Sequence, residues 1–245
     1  MALKLYNELA GWYTLLTPPA DYEEEARWYT ALMREHASGE LTTVLELGCG
    51  SGANASHMKQ WFEMVVVDIS EAMLAECRKL NPDLEQHLGD MRTFRLGRTV
   101  DAVFVHDAAS YILTAEDLDA LVDTATAHLA PGGLVLLCPD DLRENYRPGT
   151  DDGGSDGPDG RGVRYLTWSV PGADDNTVLS DYVYMLREAD GTVHVEHERH
   201  VTGRLPGALW LQALDRAGFD ATMVALEHSE VAADSHHVFI GTRRA

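Results

Sequence analysis

An apolar run, Val44-Leu45, reaches Glu46, and Gly48, Gly50 and Gly52 follow at alternate positions in Glu46-Leu47-Gly48-Cys49-Gly50-Ser51-Gly52-Ala53. Glycines adopt positive φ and carry no Cβ, so such a turn lets the backbone come close to a ligand. Two ligands suit it. Gly48-x-Gly50-x-x-Ala53 satisfies a loose dinucleotide fingerprint, with Asp68 at about the right distance for a ribose. The acidic-x-Gly-x-Gly-x-Gly form also suits the sulfonium amino acid of S-adenosylmethionine. Glu46 favours the second, because a carboxylate repels a neighbouring pyrophosphate in a low-dielectric cleft and attracts an ammonium and a sulfonium.

A second group of chemically capable residues is His106, Asp107 and Tyr111. They follow an apolar run, at the carboxyl edge where open α/β sheets bind ligands. His106 is a candidate general base, and Asp107 either orients it or binds an acceptor ammonium. The plainer reading has His106 lining a donor pocket, Asp107 capping a turn and Tyr111 packing. Asp140 and Asp141 end the next strand, while Arg143, Arg147 and Arg164 read as surface residues. His194, Glu196, Glu198 and His200 alternate on one strand face, and solvated edge charge explains them better than a metal does. Asp151, Asp152, Asp156 and Asp159 lack the closing Glu of a calcium loop, so no metal is expected. His228, with Glu227 and Glu230, ends a core strand near the same edge.

The elements that must position these residues follow from periodicity. A short aromatic segment, Leu5 to Leu16, precedes Pro18-Pro19 and reads as a lid. Ala20 to Ala37 reads as a helix capped by Asp21, with Tyr22, Ala26, Tyr29 and Met33 on one face. Strands are expected at Thr43 to Leu47, Met64 to Val67, Leu84 to Leu88, Val100 to Val105 and Leu134 to Leu137. Helices start after Ser70 and Thr114, the first carrying Met73 and Cys77, the second stopped by Pro131-Gly132-Gly133. Gly149 to Gly162 reads as a mobile loop. Three antiparallel runs follow: Tyr165 to Val170, Val178 to Leu186 and Val193 to Val201. Both faces of the middle run look covered, by the active site or by a second subunit, which makes the insertion a candidate homodimer contact. Gly207 to Ala217 returns to helix, and Ala221 to Leu226 and His237 to Gly241 form a closing hairpin. The expected architecture is a doubly wound, mostly parallel seven-stranded sheet with an antiparallel last strand and an antiparallel insertion after the fifth. Residues 1–245 read as a single domain, with a lid and helix over 1–38 and the loop and insertion over 149–205.

With 245 residues and a formal net charge of −21, the surface repels phosphate backbones and anionic lipid. Nucleic-acid and membrane partners are therefore not expected, and a small-molecule acceptor is. Three scattered cysteines, Cys49, Cys77 and Cys138, make no disulfide framework, and Cys49 reads as a compact filler. The start, Met1-Ala2-Leu3-Lys4-Leu5, has no signal-peptide pattern. The expected compartment is the cytoplasm.

Four motifs together resemble those of the Rossmann-like S-adenosylmethionine-dependent methyltransferases: Glu46-Leu-Gly48-Cys-Gly50-Ser-Gly52, Val67-Asp68-Ile69-Ser70-x-x-Met73-Leu74, Gly89-Asp90-Met91 and Pro131-Gly132-Gly133. The resemblance implies a donor site. Gly48, Gly50 and Gly52 cradle the methionyl part over Glu46, and Asp68 accepts from both ribose hydroxyls. Ile69 and Met73 pack near the adenine, Asp90 accepts from its amino group beside Met91, and Tyr13 reaches the donor carboxylate. His106 sits where the methyl meets the acceptor. Within the family the chain is similar to the small-molecule branch that includes aminosugar N-methyltransferases, through Tyr6 to Tyr13 and Asp21-Tyr22-x-x-Glu25-Ala26. That branch carries a His in a Ser-rich turn beyond the fourth strand, near the place of Tyr111 here. The resemblance implies methyl transfer, to an amine ahead of a hydroxyl. A nicotinamide-linked oxidoreductase and a non-catalytic donor sensor are the alternatives.

Overall fold

The chain is described by a computed structural model over residues 3–230, 232 and 234–245. Met1 and Ala2, and two residues of the link 227–236, lie outside the described residues, as does the expectation attached to the first two. After a 3-10 turn at Ala10–Trp12 come α1 (Tyr13–Leu16), a second 3-10 turn at Pro19–Tyr22, and α2 (Glu23–His36). Strand β1 (Thr43–Leu47) leads to α3 (Ala53–Met58), β2 (Glu63–Asp68), α4 (Glu71–Leu80), β3 (Glu85–Leu88) and β4 (Val100–Val105). A 3-10 turn at Asp107–Tyr111 precedes α5 (Ala115–His128) and β5 (Leu129–Leu137). Then follow β6 (Gly149–Gly153), β7 (Gly162–Pro171), β8 (Thr177–Arg187), β9 (Val193–Gly203), α6 (Gly207–Arg216), β10 (Phe219–Ala225) and β11 (His237–Arg243).

The main sheet has seven strands in the order β10-β11-β5-β4-β1-β2-β3. β1 pairs in parallel with β2 and β4, so the chain winds outward from β1 in both directions. β11 is antiparallel to both β5 and β10. The sheet is as expected from the alternation of apolar runs and amphipathic helices. Side chains alternate across it: Leu45, Leu47, Val65, Val67, Val103 and Val105 pack with α5 and α6, while Val44, Met64, Val66, Ala102 and Phe104 pack with α2. Their burial on both faces explains the near-continuous apolar runs.

The local differences have physical causes. α2 begins at Glu23, with Tyr22 as N-cap and no side-chain cap. Asp21 sits inside the preceding 3-10 turn, because Pro19 starts that turn first. Helix α3 carries no apolar stripe long enough to read by period. The segment Gly149 to Gly162 is not a loop throughout: β6 pairs antiparallel with β7, and Asp156 bridges Gly162. The insertion is thus a four-stranded sheet, β6-β7-β8-β9. Its outer face is also not covered, since Leu166, Trp168, Val183, Met185 and Val195 stand exposed. Among the described residues, no helix is long and apolar enough to cross a membrane.

Candidate active site

The glycine loop is built by β1 and held from β2. The N–H groups of Gly48 and Cys49 both donate to the Val67 carbonyl, at 2.7 and 3.0 Å. The three glycines serve different ends. Gly48 has φ 80° and a Cβ there would stand 2.1 Å from the Ala108 Cβ, so it lets the loop meet the turn after β4. Gly50 has φ 55° and open space before it, apart from the Met73 methyl at 3.6 Å and the Tyr13 hydroxyl at 4.0 Å. Gly52 is the left-handed N-cap of α3, and a Cβ there would meet the Cys77 sulfur at 2.5 Å. It packs on α4 and does not face the cleft. Cys49, Cys77 and Cys138 are free and buried.

In front of the loop lies a cleft of about 520 Å³, lined by Gly48, Gly50, Asp68, Ile69, Asp90, Met91, Tyr13, Asp107 and Tyr111 among others. Asp68 ends β2 at its rim. Its Oδ2 accepts from Gly50 N and its Oδ1 from Ser70 N, both at 2.8 Å. Burial raises the Asp68 pKa above its ordinary value, and the backbone N–H groups of Ser70, Gly50 and Ile69 oppose that rise. Each oxygen keeps a lone pair for a diol. Met73, in contrast to the exposed Ile69, is fully buried beneath the loop, its methyl 3.6 Å from a Cβ placed at Gly50. Asp90 is already held: Arg92 reaches its Oδ1 with Nε at 3.0 Å and its Oδ2 with Nη2 at 2.7 Å. Arg92 also pairs with Asp117 at 2.7 Å, and it holds the Asp90 carboxyl below its ordinary value.

Behind the loop is a recess of about 40 Å³ lined by Glu46, Ser51, Asn54, His106 and Tyr13 among others. Glu46 Oε2, Ser51 Oγ and Asn54 Oδ1 are buried there without a hydrogen-bond partner. Burial, reinforced by Cys77, pushes the Glu46 carboxyl up to about 8. Orphaned polar atoms are costly, and an ammonium and carboxylate entering this recess would satisfy them. The methionyl end of S-adenosylmethionine fits that description, and Asp68 fits its ribose.

His106 is held on all sides. Its Nδ1 lies 3.0 Å from Asp107 and 3.2 Å from the Asn54 amide, and its Nε2 lies 3.4 Å from Glu25. Burial opposes its charge, but Asp107 and Glu25 outweigh burial and raise it to about 10. For Glu25, burial pushes the pKa upward and His106 with Asn54 brings it below the ordinary value. For Asp107, burial and Glu25 push upward and prevail over His106. His106 is thus an imidazolium at neutral pH, already carrying the proton a base would need to accept. Glu25 was not expected here, although a charged residue between Tyr22, Ala26 and Tyr29 on the buried face of α2 was a signal.

A third cavity, of about 310 Å³, opens between the main sheet and the insertion. Asp107, Asp140, Asp141, Asp151, Tyr182 and His200 line it with others, and no Lys or Arg does. It shares Tyr6, Tyr13, Asp107 and Tyr111 with the large cleft. The inner half of the His-Glu-Glu-His row belongs here and is not solvated edge charge: Glu198 is 8% and His200 4% exposed, while His194 and Glu196 stay at the outer end. Asp151, Asp156 and Asp159 are engaged by Tyr165, by Arg164 and Arg187, and by Arg161. His228 lies 3.7 Å from Glu24, away from the cleft. Arg143, Arg147 and Arg164 are exposed.

The N-terminal segment closes the meeting point of the two spaces. Ser70 Oγ donates to the Tyr6 carbonyl, Ser155 Oγ donates to the Leu15 carbonyl at 2.8 Å, and the Arg161 guanidinium lies 4.8 Å over the Trp12 ring.

Comparison with known proteins agrees with this geometry. A family profile described as a methyltransferase domain matches residues 44–133, from β1 through the start of β5. A dTDP-3-amino-3,4,6-trideoxy-alpha-D-glucopyranose N,N-dimethyltransferase of Streptomyces venezuelae is 30% identical over 90% of this chain and 91% of its own. The crystal structure of Streptomyces venezuelae DesVI is similar with a TM-score of 0.80 at 28% identity, covering 91% of this chain and 92% of that one. The S-adenosylmethionine-bound CalS10 of Micromonospora echinaspora, an amino pentose methyltransferase, is similar with a TM-score of 0.75 at 26% identity, covering 91% of each chain. A glycine loop over a buried carboxyl, an aspartate at the end of β2 and these relatives lead to one conclusion: the chain belongs to the Rossmann-like, class I S-adenosylmethionine-dependent methyltransferases, and within them resembles the aminosugar N-methyltransferases.

Proposed function

We propose that this enzyme N-methylates the amino group of an aminosugar carried, as in its relative's substrate, on a nucleoside diphosphate, with only the amino end entering the acidic cavity. The supporting observation is the wall shared by the donor cleft and the acidic cavity, where Asp107 stands among Tyr6, Tyr13 and Tyr111. Bound S-adenosylmethionine supplies an electrophilic methyl group on a sulfonium. Asp68 orients the nucleoside, the Glu46 recess takes the amino acid end, and the tyrosines exclude water from the meeting point. Asp107, with Asp140 and Asp141 beyond it, receives the acceptor as an ammonium. His106, charged and clamped, fixes the Asp107 carboxylate. A hydroxyl acceptor carries no positive charge and would gain little from these acidic groups.

In this reading the chain is one catalytic unit. Residues 1–38 close the donor site and residues 149–205 wall the acceptor, and the enzyme works in the cytoplasm, where its substrates are. The exposed apolar face of the insertion pairs with the same face of a second copy. That face carries Arg164, Arg187 and Arg199 against Asp152 and Asp181, so the repulsion expected from a net charge of −21 is reduced there.

The test is incubation with labelled donor and dTDP-3-amino-3,6-dideoxy-glucopyranose, beside the same sugar nucleotide bearing a hydroxyl at that carbon. The expected products carry one and two added methyl groups on the amine alone. Transfer to the hydroxyl sugar but not to the amine would overturn the reading.

A further inference from the structure

Glu198 and His200 have no part in the roles above, yet they form a buried, ordered arrangement. Two residues apart on β9, both point inward. Glu198 Oε1 accepts from Lys4 N, and Oε2 accepts from Leu5 N at 3.0 Å and lies 3.0 Å from His200 Nε2. A carboxylate only accepts, so Nε2 carries the ring proton and Nδ1 presents a lone pair. Facing Nδ1 at 2.9 Å is the Tyr111 hydroxyl, and 2.8 Å from that is the Tyr6 hydroxyl. With Nδ1 accepting, Tyr111 donates to His200 and Tyr6 donates to Tyr111. Among the described residues the Tyr6 hydroxyl has no other partner. The chain of donors therefore runs one way, from the junction of donor cleft and acceptor cavity to an imidazole backed by a carboxylate.

We propose that Tyr6 and Tyr111 relay a proton from the acceptor nitrogen to His200, the base of this enzyme, which Glu198 positions and stabilises once charged. The proposal rests on the amine-methylation reading. The acceptor binds as an ammonium and must lose one proton before its electron pair can attack. That proton passes to the Tyr6 oxygen, the Tyr6 proton to Tyr111, and the Tyr111 proton to His200 Nδ1. The nitrogen is left neutral, both tyrosines are regenerated, and His200 becomes an imidazolium against the Glu198 carboxylate. Opening of the N-terminal segment, which Glu198 itself holds, then exposes the pair to water. A second methylation repeats the path.

The two histidines of the site differ in kind. His106 is clamped by Glu25 and Asp107 and already holds its proton. His200 faces Tyr6, Tyr111, the Tyr182 ring at 4.9 Å and Glu198, with Lys4 behind Glu198 and the cavity carboxylates of Asp107, Asp140, Asp141 and Asp151 across open space. Burial lowers its pKa against the pull of Glu198, so it stands neutral and ready to accept.

The experiment combines a pH–rate profile with nuclear magnetic resonance titration of 13C-labelled histidine in the full chain. With the aminosugar nucleotide, wild-type kcat is expected to fall on the acid side in step with His200 protonation. Tyr111→Phe removes one oxygen from the relay and is expected to lower kcat by about 10²-fold. It also abolishes the acid limb while leaving donor affinity, read by calorimetry, unchanged; His200→Gln does the same. Without any acceptor, Tyr111→Phe must move the His200 titration by removing its Nδ1 partner, and Glu198→Gln must lower it by removing its carboxylate. Unmoved titrations overturn the relay even if no acceptor has been found. A wild-type kcat and acid limb in Tyr111→Phe overturn it when the amine is methylated. Failure of every amine with both titrations shifted instead counts against the substrate reading alone.

Discussion

Asp68 is tied to the loop that it serves, since the same carboxylate that faces the cleft also accepts from Gly50 and Ser70. Asp68→Ala is expected to weaken donor binding by about 1–3 kcal/mol, as loss of a hydrogen bond to a charged group does. Calorimetry with S-adenosylhomocysteine checks it, and unchanged affinity would refute the ribose role. Glu46 carries a different signature. Its carboxyl is raised from 4.5 to about 8, so the folded protein holds a proton there that the unfolded chain gives up above its own lower pKa. Stability from this site therefore declines as pH rises from about 4.5 through 8. A cation in the recess lowers that pKa, so donor binding at about pH 7 should release a proton. Calorimetry in buffers of different ionisation enthalpy should show the release in wild type and not in Glu46→Gln. His106 adds a second window. Raised from 6.5 to about 10, it stabilises the fold fully below its unfolded pKa and loses this as pH rises through about 10.

At the scale of elements, the loop between β1 and α3 must satisfy the ligand and two neighbouring elements. A side chain at Gly48 is excluded twice, by φ 80° and by Ala108. Gly48→Ala should lower the melting temperature and abolish donor binding, whereas Gly97→Ala, at φ 80° with nothing within 4 Å, should cost stability alone. Equal loss of donor binding in both would show that strain, and not the approach to the turn after β4, sets the requirement. The N-terminal segment is tied to both sheets, because Ser70 holds it from β2's end and Glu198 from β9. Its short helices are too brief to be stable alone, so their order depends on these contacts.

At the scale of the molecule, the proposed function divides the work between two sheets: the mixed sheet borders the large cleft, and the four-stranded sheet walls the acidic cavity. The outer face of the latter exposes Trp168 by 66%, Val195 by 62% and Leu166 by 56%. Apolar side chains gathered in this way mark interaction surfaces. Light scattering coupled to size exclusion should report a dimer for wild type and a monomer for Trp168→Glu. A wild-type monomer at working concentration would leave this face without the proposed pairing.

The sequence by itself determined the sheet, its antiparallel last strand and the donor loop, because these rest on local rules. Buried parallel strands read as apolar runs, and a loop that needs positive φ needs glycine at set positions. It also placed Asp68, Ile69 and Tyr13 by motif. Only the tertiary structure decided that Met73 and Gly52 pack away from the cleft, that Gly149–Gly153 pairs as an edge strand, and that His106 is clamped between Glu25 and Asp107. Glu25 and His106 are 81 residues apart, and Tyr111 and His200 are 89 apart. Proton chemistry depends on which groups share a low-dielectric space, and that is settled by packing between distant elements, not by spacing along the chain.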